Sequence, residues 1–532
     1  MRIEDIAEAD FIPLTTILRA HAARRGEATA IADEHGSVSW AELDALLDRV
    51  AAALQREGVG KDEPVAIAAL NSVRTGLAFL GAIRAGAVAA PLTSTAAPET
   101  VLAMLADSGS RVLLLDAEMA DRLAGLPFPA GVRRIALDDS AAGEPFSQWI
   151  APEGARTEER LPAPGDPFNI IYSSGTTGSP KGIVQSHKMR HEYARRTILG
   201  GYDDDTCVIC STPLYSNTTL VSFLPTLTAG GKVVLMKKFD ARGFLELSQR
   251  ERVTHAMLVP VQYRRIMEVP DFDRFDLSSY RLKSSTSAPF PAWLKADVLK
   301  RWPGGLTDGY GMTEGGATAI LVAHLHPDKL HTVGQPSPGH IIKIIDEAGN
   351  ELPQGEVGEI VGHSPIMMNG YHGQDEKTRE IEWFDAEGRR YIRHGDIGKF
   401  DEDGFLILMD RAKDMIISGG FNIFPTDLEA ELTRQPAVRE AAVVGVPSEK
   451  WGETPLAVVV LADPAADPQA ILAEANSRLG KTQRIAAIEV VDELPRSPIG
   501  KVLKRELRDR FGGNPIAQAT SMTRNIKEND HA

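Results

Sequence analysis

Short apolar runs alternate with helical patterns along the N-terminal part of this chain of 532 residues. The predicted strands are apolar runs, at residues 64–70, 87–92, 112–116, 207–211, 232–236 and 256–259. The predicted helices alternate with them, at residues 40–54, 76–86, 185–199, 219–227 and 244–252. Such alternation predicts α/β sheets whose strands are joined by crossover connections.

The C-terminal part has a different pattern. Short strands with glycine-rich turns predict a β-rich subdomain at about residues 333–410. A charged cluster begins at Asp410 and marks the predicted boundary between an N-terminal domain, residues 1–410, and a C-terminal domain, residues 411–511. Within the latter, Asp467 and Pro468 predict the start of a helix. The polar tail, residues 512–532, is expected to be disordered.

The composition excludes some classes of function. Hydrophobic residues make up 43% of the chain, enough for a large core, and the net charge of −15 argues against a nucleic-acid binder. No apolar run reaches the ~18 residues that a membrane-spanning helix needs, and the acidic N-terminus has no apolar signal core. A soluble cytoplasmic protein without a transmembrane segment is therefore expected.

Cys207 and Cys210 are the two cysteines of the chain, and their C-x-x-C spacing is compatible with a redox or zinc site. The pair lies in a predicted strand, where positions three apart face opposite sides of the sheet. No second cysteine pair or histidine cluster completes a zinc site. We therefore predict two free, structural thiols.

Residues 170–182 combine the end of an apolar strand with a loop of small polar residues. The loop contains five hydroxyls, two glycines and a lysine: Ser173, Ser174, Gly175, Thr176, Thr177, Gly178, Ser179 and Lys181. Hydroxyls, backbone N–H groups and a lysine can surround phosphate oxygens, so the loop predicts binding of a polyphosphate. It is not a Walker A motif, because Lys181 follows a proline and precedes a glycine. The alternative is a flexible surface loop.

This loop resembles the phosphate loop of the adenylate-forming superfamily, which comprises acyl- and aryl-CoA synthetases, adenylation domains of peptide synthetases and beetle luciferases. The resemblance runs from about Trp40 to Lys501. It implies an α/β fold, in which a large N-terminal domain contains two α/β sheets and the β-rich subdomain. A small, mobile α+β C-terminal domain is expected to follow, with its hinge at Lys413.

The resemblance also implies the chemistry of two half-reactions. A carboxylate first attacks MgATP and gives an acyl-adenylate and pyrophosphate; the thiol of coenzyme A then displaces AMP. Lys181 would hold the β- and γ-phosphates, Thr313 the α-phosphate, and Glu314 with Thr176 the Mg²⁺ ion. Lys501 would bridge the substrate carboxylate and the α-phosphate. A lysine near a C-terminus is otherwise an ordinary solvated charge.

Other segments match the nucleotide motifs of the family. Asp308, Gly309, Tyr310, Gly311 and Met312 precede the Thr-Glu pair, and the ring of Tyr310 would pack on adenine. Ser287, Ala288 and Pro289 match the segment beside adenine, with serine where the family usually has glycine. Asp396 would accept from both ribose hydroxyls, although His394 replaces the usual threonine before it, and the alternative is a solvated turn residue. Arg411 would also reach ribose or phosphate.

The resemblance also implies sites for the acid and for coenzyme A. The acyl pocket would be walled by Tyr215, Ser216, Asn217, Val259, Gly309, Met312 and Ala317, with Thr318 beside them. Many relatives have histidine at Ser216, and a helix cap formed by Asn217 or Thr218 is an alternative role for this segment. Coenzyme A would contact Gly419, Gly420, Phe421, Trp451 and Arg484, where a plain β-turn is the alternative for the glycines.

The prediction is therefore an acyl-CoA synthetase that uses ATP, Mg²⁺ and coenzyme A. The sequence identifies no basic residue for a second substrate carboxylate, which favours a fatty, alicyclic or aryl monocarboxylic acid. The alternatives are an adenylation enzyme that loads a carrier protein and a non-catalytic adenylate-binding protein. A homodimer is a candidate assembly. A lysine acetyltransferase acting on Lys501 is a candidate partner, because acetylation would cancel the charge of that lysine.

Overall fold

The computed structural model of the protein describes residues 2–173, 180–411, 414–418, 421–448, 451–480, 483–497 and 501–512. The chain divides into two compact units, Met1–Ile342 with Val361–His394, and Lys343–Ile360 with Gly395–Ala532. The chain passes between these units at residues 342–343, 360–361 and 394–395. The domain boundary predicted at residue 411 remains a prediction, and Asp396 pairs with Arg411 within the second unit.

The elements follow in chain order. The helices are α1 Ile3–Glu8, α2 Leu14–Arg25, α3 Trp40–Arg56, α4 Val73–Arg84, α5 Pro98–Ser108, α6 Ala117–Arg122, α7 Phe146–Trp149, α8 His187–Leu199, α9 Asn217–Ala229, α10 Ala241–Glu251, α11 Pro260–Met267, α12 Ala292–Arg301, α13 Asp375–Glu380, α14 Pro425–Thr433, α15 Pro468–Arg478 and α16 Lys504–Phe511. The strands up to residue 312 are β1 Thr29–Asp33, β2 Gly36–Ser39, β3 Pro64–Ala68, β4 Val88–Pro91, β5 Val112–Leu115, β6 Arg133–Ala136, β7 Glu144–Pro145, β8 Pro167–Ser173, β9 Lys181–Ser186, β10 Cys207–Cys210, β11 Lys232–Leu235, β12 His255–Leu258, β13 Leu282–Ser285 and β14 Gly305–Met312. The later strands are β15 Gly315–Val322, β16 Gln335–Pro336, β17 Ile341–Ile345, β18 Gly358–His363, β19 Gly370–Tyr371, β20 Glu382–Phe384, β21 Arg390–Phe400, β22 Leu406–Arg411, β23 Ile416–Ser418, β24 Phe421–Ile423, β25 Val438–Ser448, β26 Gly452–Leu461 and β27 Ala487–Val490.

The first unit contains two large sheets. Within the described residues, one has the order β16-β15-β14-β13-β12-β10-β11-β1-β2 and the other the order β19-β9-β8-β4-β3-β5-β6-β7. In the first sheet, β14, β13, β12, β10, β11 and β1 are parallel neighbours. In the second, β8, β4, β3, β5, β6 and β7 are parallel. The predicted α/β fold with two sheets is confirmed.

The central strands β3, β4 and β5 of the second sheet are buried on both faces. Val112 and Leu114 pack into an apolar cluster with α3, α4 and α9, whereas Leu113 and Leu115 pack into a separate cluster with α5. The first cluster also contains residues of β10 and β11, so these helices are shared by both sheets. Burial on both faces explains why these strands are continuous apolar runs in the sequence.

The second unit has a core of its own. Among the residues described there, one sheet has the order β24-β23-β26-β25, and β27 adds to β26 in parallel. Helices α14 and α15 cover one face with Leu428 and Ile471, and α16 covers the other with Leu507. A further sheet, β17-β18-β21-β20 with β22 beside β21, includes the strands in which the chain passes from one unit to the other.

Several predicted elements agree closely with the structure. Ser39 caps α3 by accepting a hydrogen bond from the Glu42 N–H at 3.3 Å, and Asp467 caps α15 in the same way. Cys207 and Cys210 are free and buried, and burial raises their pKa values to about 11 and about 12. The prediction of two structural thiols is therefore confirmed. Within the described part of the chain, no helix has the length and apolarity that crossing a membrane requires.

One predicted helix begins too early. The pattern placed its start at residue 185, but α8 begins at His187 because Gln185 and Ser186 still pair with β8 in the strand β9. Ser186 then caps the helix by accepting a hydrogen bond from the Met189 N–H at 3.1 Å. β9 has polar residues at both ends and only a short apolar centre, so the apolar pattern did not predict a strand there.

Gly81 of α4 gives a test of the packing between α3 and α4. A Cβ at this position would lie 2.3 Å from Cγ1 of Val50, whereas a Cβ at Gly76 in the same helix would meet its neighbours at 3.6 Å or more. We expect Gly81→Ala to lower the unfolding midpoint temperature by several degrees, because overpacking a core costs about 1–3 kcal/mol. Gly76→Ala is the matched control and should be neutral or mildly stabilising, since alanine favours helix. Equal midpoints for the two variants in a thermal melt would contradict this packing.

Buried histidines make the stability of the fold depend on pH. Burial, followed by the charge of Arg281, lowers the pKa of His255 to about 4, and burial lowers that of His187 to about 4. In the unfolded chain both titrate near ~6.5. Between these values the unfolded state binds protons that the native state does not, so stability falls as pH falls from ~6.5 to about 4. Each histidine contributes up to about 3 kcal/mol to this loss.

The measurement is the unfolding midpoint between pH 7.5 and pH 4.5. His255→Gln should flatten the curve, although it loses the ring that packs against Tyr202 at 4.3 Å and so starts from a lower midpoint. His35→Gln, at a side chain that is 75% exposed, should leave the slope of the wild type unchanged. Parallel curves for the wild type and His255→Gln would refute the assignment.

Candidate functional site

Four parallel strands end at one edge of the first sheet. β10, β12, β13 and β14 are neighbours with the same direction, so the residues that follow each of them lie along that edge. These residues are Tyr215, Ser216 and Asn217 after β10, Val259 after β12, Ser287, Ala288 and Pro289 after β13, and Thr313 and Glu314 after β14. The sheet thus brings the predicted acyl and nucleotide segments together. The carboxyl ends of parallel strands are where open α/β sheets bind ligands.

Thr313 and Glu314 form the tight turn between β14 and β15. Gly315 closes this turn with φ at +88°, and a Cβ there would lie 1.9 Å from the carbonyl oxygen of Ile366. Glycine is therefore required at this position. Met368 donates its backbone N–H to the Glu314 carbonyl at 2.8 Å, which joins the turn to the segment that precedes β19.

Tyr371 connects Glu314 to Lys181. The phenol of Tyr371 donates a hydrogen bond to Oε1 of Glu314 at 2.9 Å, and Nζ of Lys181 lies 5.2 Å from the centre of the tyrosine ring. Burial, followed by the charge of Glu314, raises the pKa of Tyr371, so the phenol remains a donor at neutral pH. Tyr371 pairs with Ile183 between β19 and β9, which fixes this geometry. Sequence reasoning missed Tyr371, because nothing in the pattern joins positions so far apart.

The donor set at Glu314 is suited to a hard divalent cation. Mg²⁺ in nucleotide sites is commonly held by one or two carboxylates together with substrate phosphates. Glu314 supplies such a carboxylate. The second predicted ligand of the Mg²⁺ ion, Thr176, lies outside the described residues. In the described part of the chain there is no cluster of three or more His, Cys, Asp or Glu side chains placed to bind a metal.

A buried network of amides holds the carbonyl of Thr313. Gln185 donates its side-chain N–H to Thr313 O at 2.7 Å, and its Oε1 accepts from Asn169 at 3.0 Å and from Arg190. Arg190 also donates to Oδ1 of Asn169 at 2.8 Å and to Oδ1 of Asn217 at 3.0 Å. The acceptors of this buried guanidinium among the described residues are all neutral amides. The network links β8, β9, α8 and α9 to the Glu314 turn, and the sequence analysis assigned none of its central residues.

His394 has a defined place next to Tyr310. Nδ1 of His394 lies 3.0 Å from the Tyr310 hydroxyl, and Nε2 accepts from the Ala317 N–H at 3.4 Å. A neutral ring therefore carries its proton on Nδ1 and donates it to Tyr310. A Cβ on Gly316 or Gly362 would lie 2.7 or 2.6 Å from Nε2, so the imidazole fits only because both positions are glycine. Histidine in place of the usual threonine thus supports the predicted adenine-packing residue.

Ser287 adopts a backbone conformation that favours glycine. Its φ is +80°, in the left-handed region that few residues other than glycine enter. This conformation accounts for the glycine that the family usually has here. The Ser287 hydroxyl lies 2.6 Å from Oγ1 of Thr218, so a hydrogen bond offsets part of the backbone strain. The bond also ties the predicted adenine segment to the first turn of α9.

The carboxylate of Asp308 is engaged inside the protein. It forms an ion pair with Lys295 at 2.7 Å, and both side chains are buried. Lys295 also donates to the carbonyls of Leu330 and Thr332, each at 3.1 Å. A contact between Asp308 and the nucleotide would therefore use its backbone, and its side chain holds β14 in place through Lys295. Gly309, Gly311 and Met312 continue the same strand toward the Glu314 turn.

The predicted acyl segment is a helix start, as the alternative interpretation held, but the cap is Ser216. Its hydroxyl accepts from the Thr218 N–H at 3.3 Å, and Asn217 is already the first residue of α9. The prediction that Asn217 or Thr218 caps this helix is wrong, because Asn217 instead receives the Arg190 hydrogen bond. Tyr215 is buried, and its hydroxyl lies 2.7 Å from Oγ1 of Thr95.

Val259, Met312 and Ala317 complete the predicted acyl wall. Val259 precedes α11 and is buried, Met312 ends β14, and Ala317 lies in β15. Together with the segment before α9, they lie at the ends of neighbouring strands. The prediction of an acyl pocket along this edge remains a prediction.

In the second unit, Lys501 lies shortly before α16 and is hydrogen-bonded to Ser497. Its N–H donates to the Ser497 hydroxyl at 3.1 Å, and its carbonyl accepts from the Ser497 N–H at 2.7 Å. Asp396 lies in β21 opposite Arg411 of β22. Trp451 and Arg484, the predicted contacts of the coenzyme A nucleotide, are both exposed.

Several predicted site residues cannot be placed. Ser174, Gly175, Thr176, Thr177, Gly178, Lys413, Gly419 and Gly420 lie outside the described residues. The side chains of Ser173, Arg411 and Phe421 are likewise not described, although their backbones belong to β8, β22 and β24.

Comparisons with known proteins cover almost the whole chain. A family model described as AMP-binding enzyme matches residues 18–372, and one described as AMP-binding enzyme C-terminal domain matches residues 427–501. The feruloyl-CoA synthase of an Amycolatopsis species is 35% identical over 495 residues, which are 91% of this chain and 96% of that protein.

The solved structures that resemble this chain are also enzymes of this kind. The amide bond synthetase McbA from Marinactinospora thermotolerans has a TM-score of 0.83 at 30% identity and covers 94% of this chain and 100% of its own. The anthranilate CoA ligase AuaEII in complex with anthranoyl-AMP has a TM-score of 0.84 at 25% identity, with 98% of this chain and 100% of that chain covered. This chain belongs to the family of AMP-binding enzymes.

Proposed function

We propose that the protein is an ATP-dependent carboxylate–CoA ligase, which forms an acyl-adenylate and pyrophosphate and then an acyl-CoA and AMP. The observation that carries this proposal is the arrangement of Lys181, Tyr371 and Glu314 beside the strand ends where the acyl and nucleotide segments meet. The similarity to a feruloyl-CoA synthase and to an anthranilate CoA ligase supports coenzyme A as the acceptor. The acid is proposed to be a carboxylic acid of the fatty, alicyclic or aryl class.

In the first half-reaction, a carboxylate oxygen of the acid attacks the α-phosphorus of ATP, and the bond to the leaving pyrophosphate breaks. Lys181 is proposed to bind the β- and γ-phosphates, and Thr313 the α-phosphate. Lys501 is proposed to offset the charge that develops there. Glu314 would hold Mg²⁺, which neutralises phosphate charge when bound. The protein acts by positioning and electrostatics, since phosphoryl chemistry needs little else.

In the second half-reaction, the thiolate of coenzyme A attacks the acyl carbon and AMP leaves with the bonding electrons. We propose that the C-terminal unit rotates about Lys413 between the two steps, so that Gly419 and Gly420 replace Lys501 at the site. Trp451 and Arg484 are proposed contacts of the coenzyme A nucleotide because both are exposed and one is cationic. The homodimer and the acetylation of Lys501 remain predictions.

The first test separates the two half-reactions. Purified full-length protein should catalyse ATP–pyrophosphate exchange with an accepted acid, and should form a thioester only when coenzyme A is added. Lys501→Ala should abolish exchange. Lys504→Ala is the control, because Lys504 pairs with Glu429 at 2.8 Å in the same unit, and it should keep exchange near the wild-type rate.

Other outcomes of this assay identify other functions. Exchange without thioester would support a carrier protein or an amine as the acceptor, and McbA, an amide bond synthetase, makes the amine a specific candidate. Binding of ATP without any exchange, across fatty, alicyclic and aryl acids, would support the non-catalytic alternative and refute the ligase.

Tyr371 gives a test of how Glu314 is positioned. Tyr371→Phe keeps the ring beneath Lys181 and removes the hydrogen bond to Glu314. We expect kcat/KM for pyrophosphate exchange to fall by about tenfold or more, since a hydrogen bond to a charged group contributes about 1.5–3 kcal/mol. The Mg²⁺ concentration for half-maximal exchange should rise as well.

Tyr280→Phe is the matched control. It also removes one tyrosine hydroxyl, which lies 2.7 Å from Oγ of Ser248 in the core, and it should leave the Mg²⁺ dependence unchanged. If Tyr371→Phe and Tyr280→Phe behave alike, Tyr371 has no positioning role at the site.

A further inference from the structure

Arg190 of α8 is a buried cation that contacts both the predicted acyl segment and the support of the Glu314 turn. Its Nε donates to Oδ1 of Asn169 at 2.8 Å, its Nη1 to Oδ1 of Asn217 at 3.0 Å, and its Nη2 to Oε1 of Gln185. Burial lowers the pKa of Arg190 to about 10, so the guanidinium is cationic at neutral pH. Its hydrogen bonds are therefore charge-assisted, and such bonds are roughly twice as strong as neutral ones.

The guanidinium determines which way the Gln185 amide points. Arginine has donors only, so the oxygen of each amide must face it. With Oε1 of Gln185 turned toward Arg190, Nε2 faces the backbone carbonyl of Thr313, to which it donates at 2.7 Å. Asn169 enforces the same direction, because its Oδ1 accepts from Arg190 and its Nδ2 donates to Oε1 of Gln185 at 3.0 Å. Without Arg190, the two amides could turn over together and present an oxygen to the Thr313 carbonyl.

Both peptide planes that flank Glu314 are held. The Thr313 carbonyl and the Glu314 N–H belong to one planar unit, so the hydrogen bond from Gln185 restrains that plane. The Glu314 carbonyl belongs to the next plane, and it accepts from the Met368 N–H at 2.8 Å. Since φ and ψ of a residue relate its two flanking planes, the two hydrogen bonds together restrict the backbone of Glu314. Arg190 therefore influences the direction in which the Glu314 side chain leaves the backbone.

The same guanidinium holds the start of the predicted acyl segment. Asn217 is the first residue of α9, and its amide oxygen accepts from Nη1 of Arg190. Nη1 and Nη2 belong to one rigid planar group. The guanidinium therefore fixes the position of Asn217 relative to that of Gln185.

We propose that Arg190 is a positioning residue for adenylation, which orients the Glu314 turn through Gln185 and the start of the acyl segment through Asn217. The inference rests on the proposed ligase function and adds to it a residue that acts through others. An arginine suits this role because its planar fork can hold several acceptors in a fixed geometry. The acid and the nucleotide are thereby positioned relative to each other, as attack of a carboxylate oxygen on the α-phosphorus requires.

The experiment measures pyrophosphate exchange by full-length protein while ATP, Mg²⁺ and the acid are varied separately. Gln185→Glu keeps an oxygen toward Arg190 and replaces the donor to Thr313 with a second acceptor. We expect kcat to fall by at least about tenfold and the Mg²⁺ concentration for half-maximal exchange to rise. The KM for the acid should stay within about twofold of the wild type. Asn217→Ala should do the reverse, with KM for the acid raised about tenfold and the Mg²⁺ dependence unchanged.

Arg190→Met should impair both properties, because it removes the group that orients both amides. Arg190→Lys should restore part of the loss, since an ammonium donates again but lacks the planar fork. Lys283→Met is the matched control. It also removes a buried cation, whose ammonium donates to the carbonyls of residues 302–304 before β14. It should lower the unfolding midpoint and leave the KM for the acid and the Mg²⁺ dependence unchanged.

Gln435→Glu is the control for Gln185→Glu. The amide of Gln435 is buried in the second unit and likewise donates to a backbone carbonyl, that of Ile471, at 3.0 Å. This variant loses the same kind of hydrogen bond, and its exchange kinetics should stay near those of the wild type. If Arg190→Met does not fold, the contrasting effects of Gln185→Glu and Asn217→Ala still decide the question.

The outcomes separate this inference from the ligase proposal. Wild-type kinetics in Gln185→Glu and Asn217→Ala would overturn the positioning role and leave the ligase standing. The same would follow if Arg190→Met and Lys283→Met changed every constant alike, because the role of Arg190 would then be structural. No exchange by the wild type with any acid would refute the ligase, and this inference with it.

Discussion

The site depends on the restraint of one turn. Thr313 and Glu314 join β14 to β15, and each is held by groups from other elements: Gln185 on the Thr313 carbonyl, Met368 on the Glu314 carbonyl and Tyr371 on the Glu314 carboxylate. A short turn with a glycine at φ +88° has little conformational freedom, and these contacts restrict it further. A carboxylate fixed in this way can meet phosphate oxygens without reorganising, which is the condition for electrostatic stabilisation during phosphoryl chemistry.

The parallel sheets explain why distant segments of the sequence converge. Strands β10, β12, β13 and β14 end at the same edge, so the short segment after each of them lies at the candidate site without any long loop. The elements behind this edge are bound to each other through the network around Gln185 and Arg190.

Much of this arrangement could be predicted from the sequence. The apolar strands β3, β5 and β11 and the capped helices α3 and α15 follow local rules of burial and capping, which need no knowledge of distant residues. The β14–β15 hairpin could not be recognised, because glycine and aspartate interrupt β14 and favour turns over strands. The roles of Tyr371 and His394 could not be predicted either, because each depends on a contact with a residue that is distant in sequence. The motifs predicted the class of reaction. The contacts that hold Glu314 and Tyr310 in place come from residues that are distant in sequence.

Arg190 has a further consequence for an acidic protein. The chain carries a net charge of −15, and an external field of that sign opposes the approach of anions such as nucleotides. The guanidinium of Arg190 is buried, is held by neutral amides and stands two hydrogen bonds from Thr313. Its field is therefore directed through protein of low dielectric toward the turn instead of being shared with solvent. Because dissolved ions screen a buried charge far less than a surface one, its attraction for phosphates should persist at ionic strengths that cancel the pull of exposed lysines.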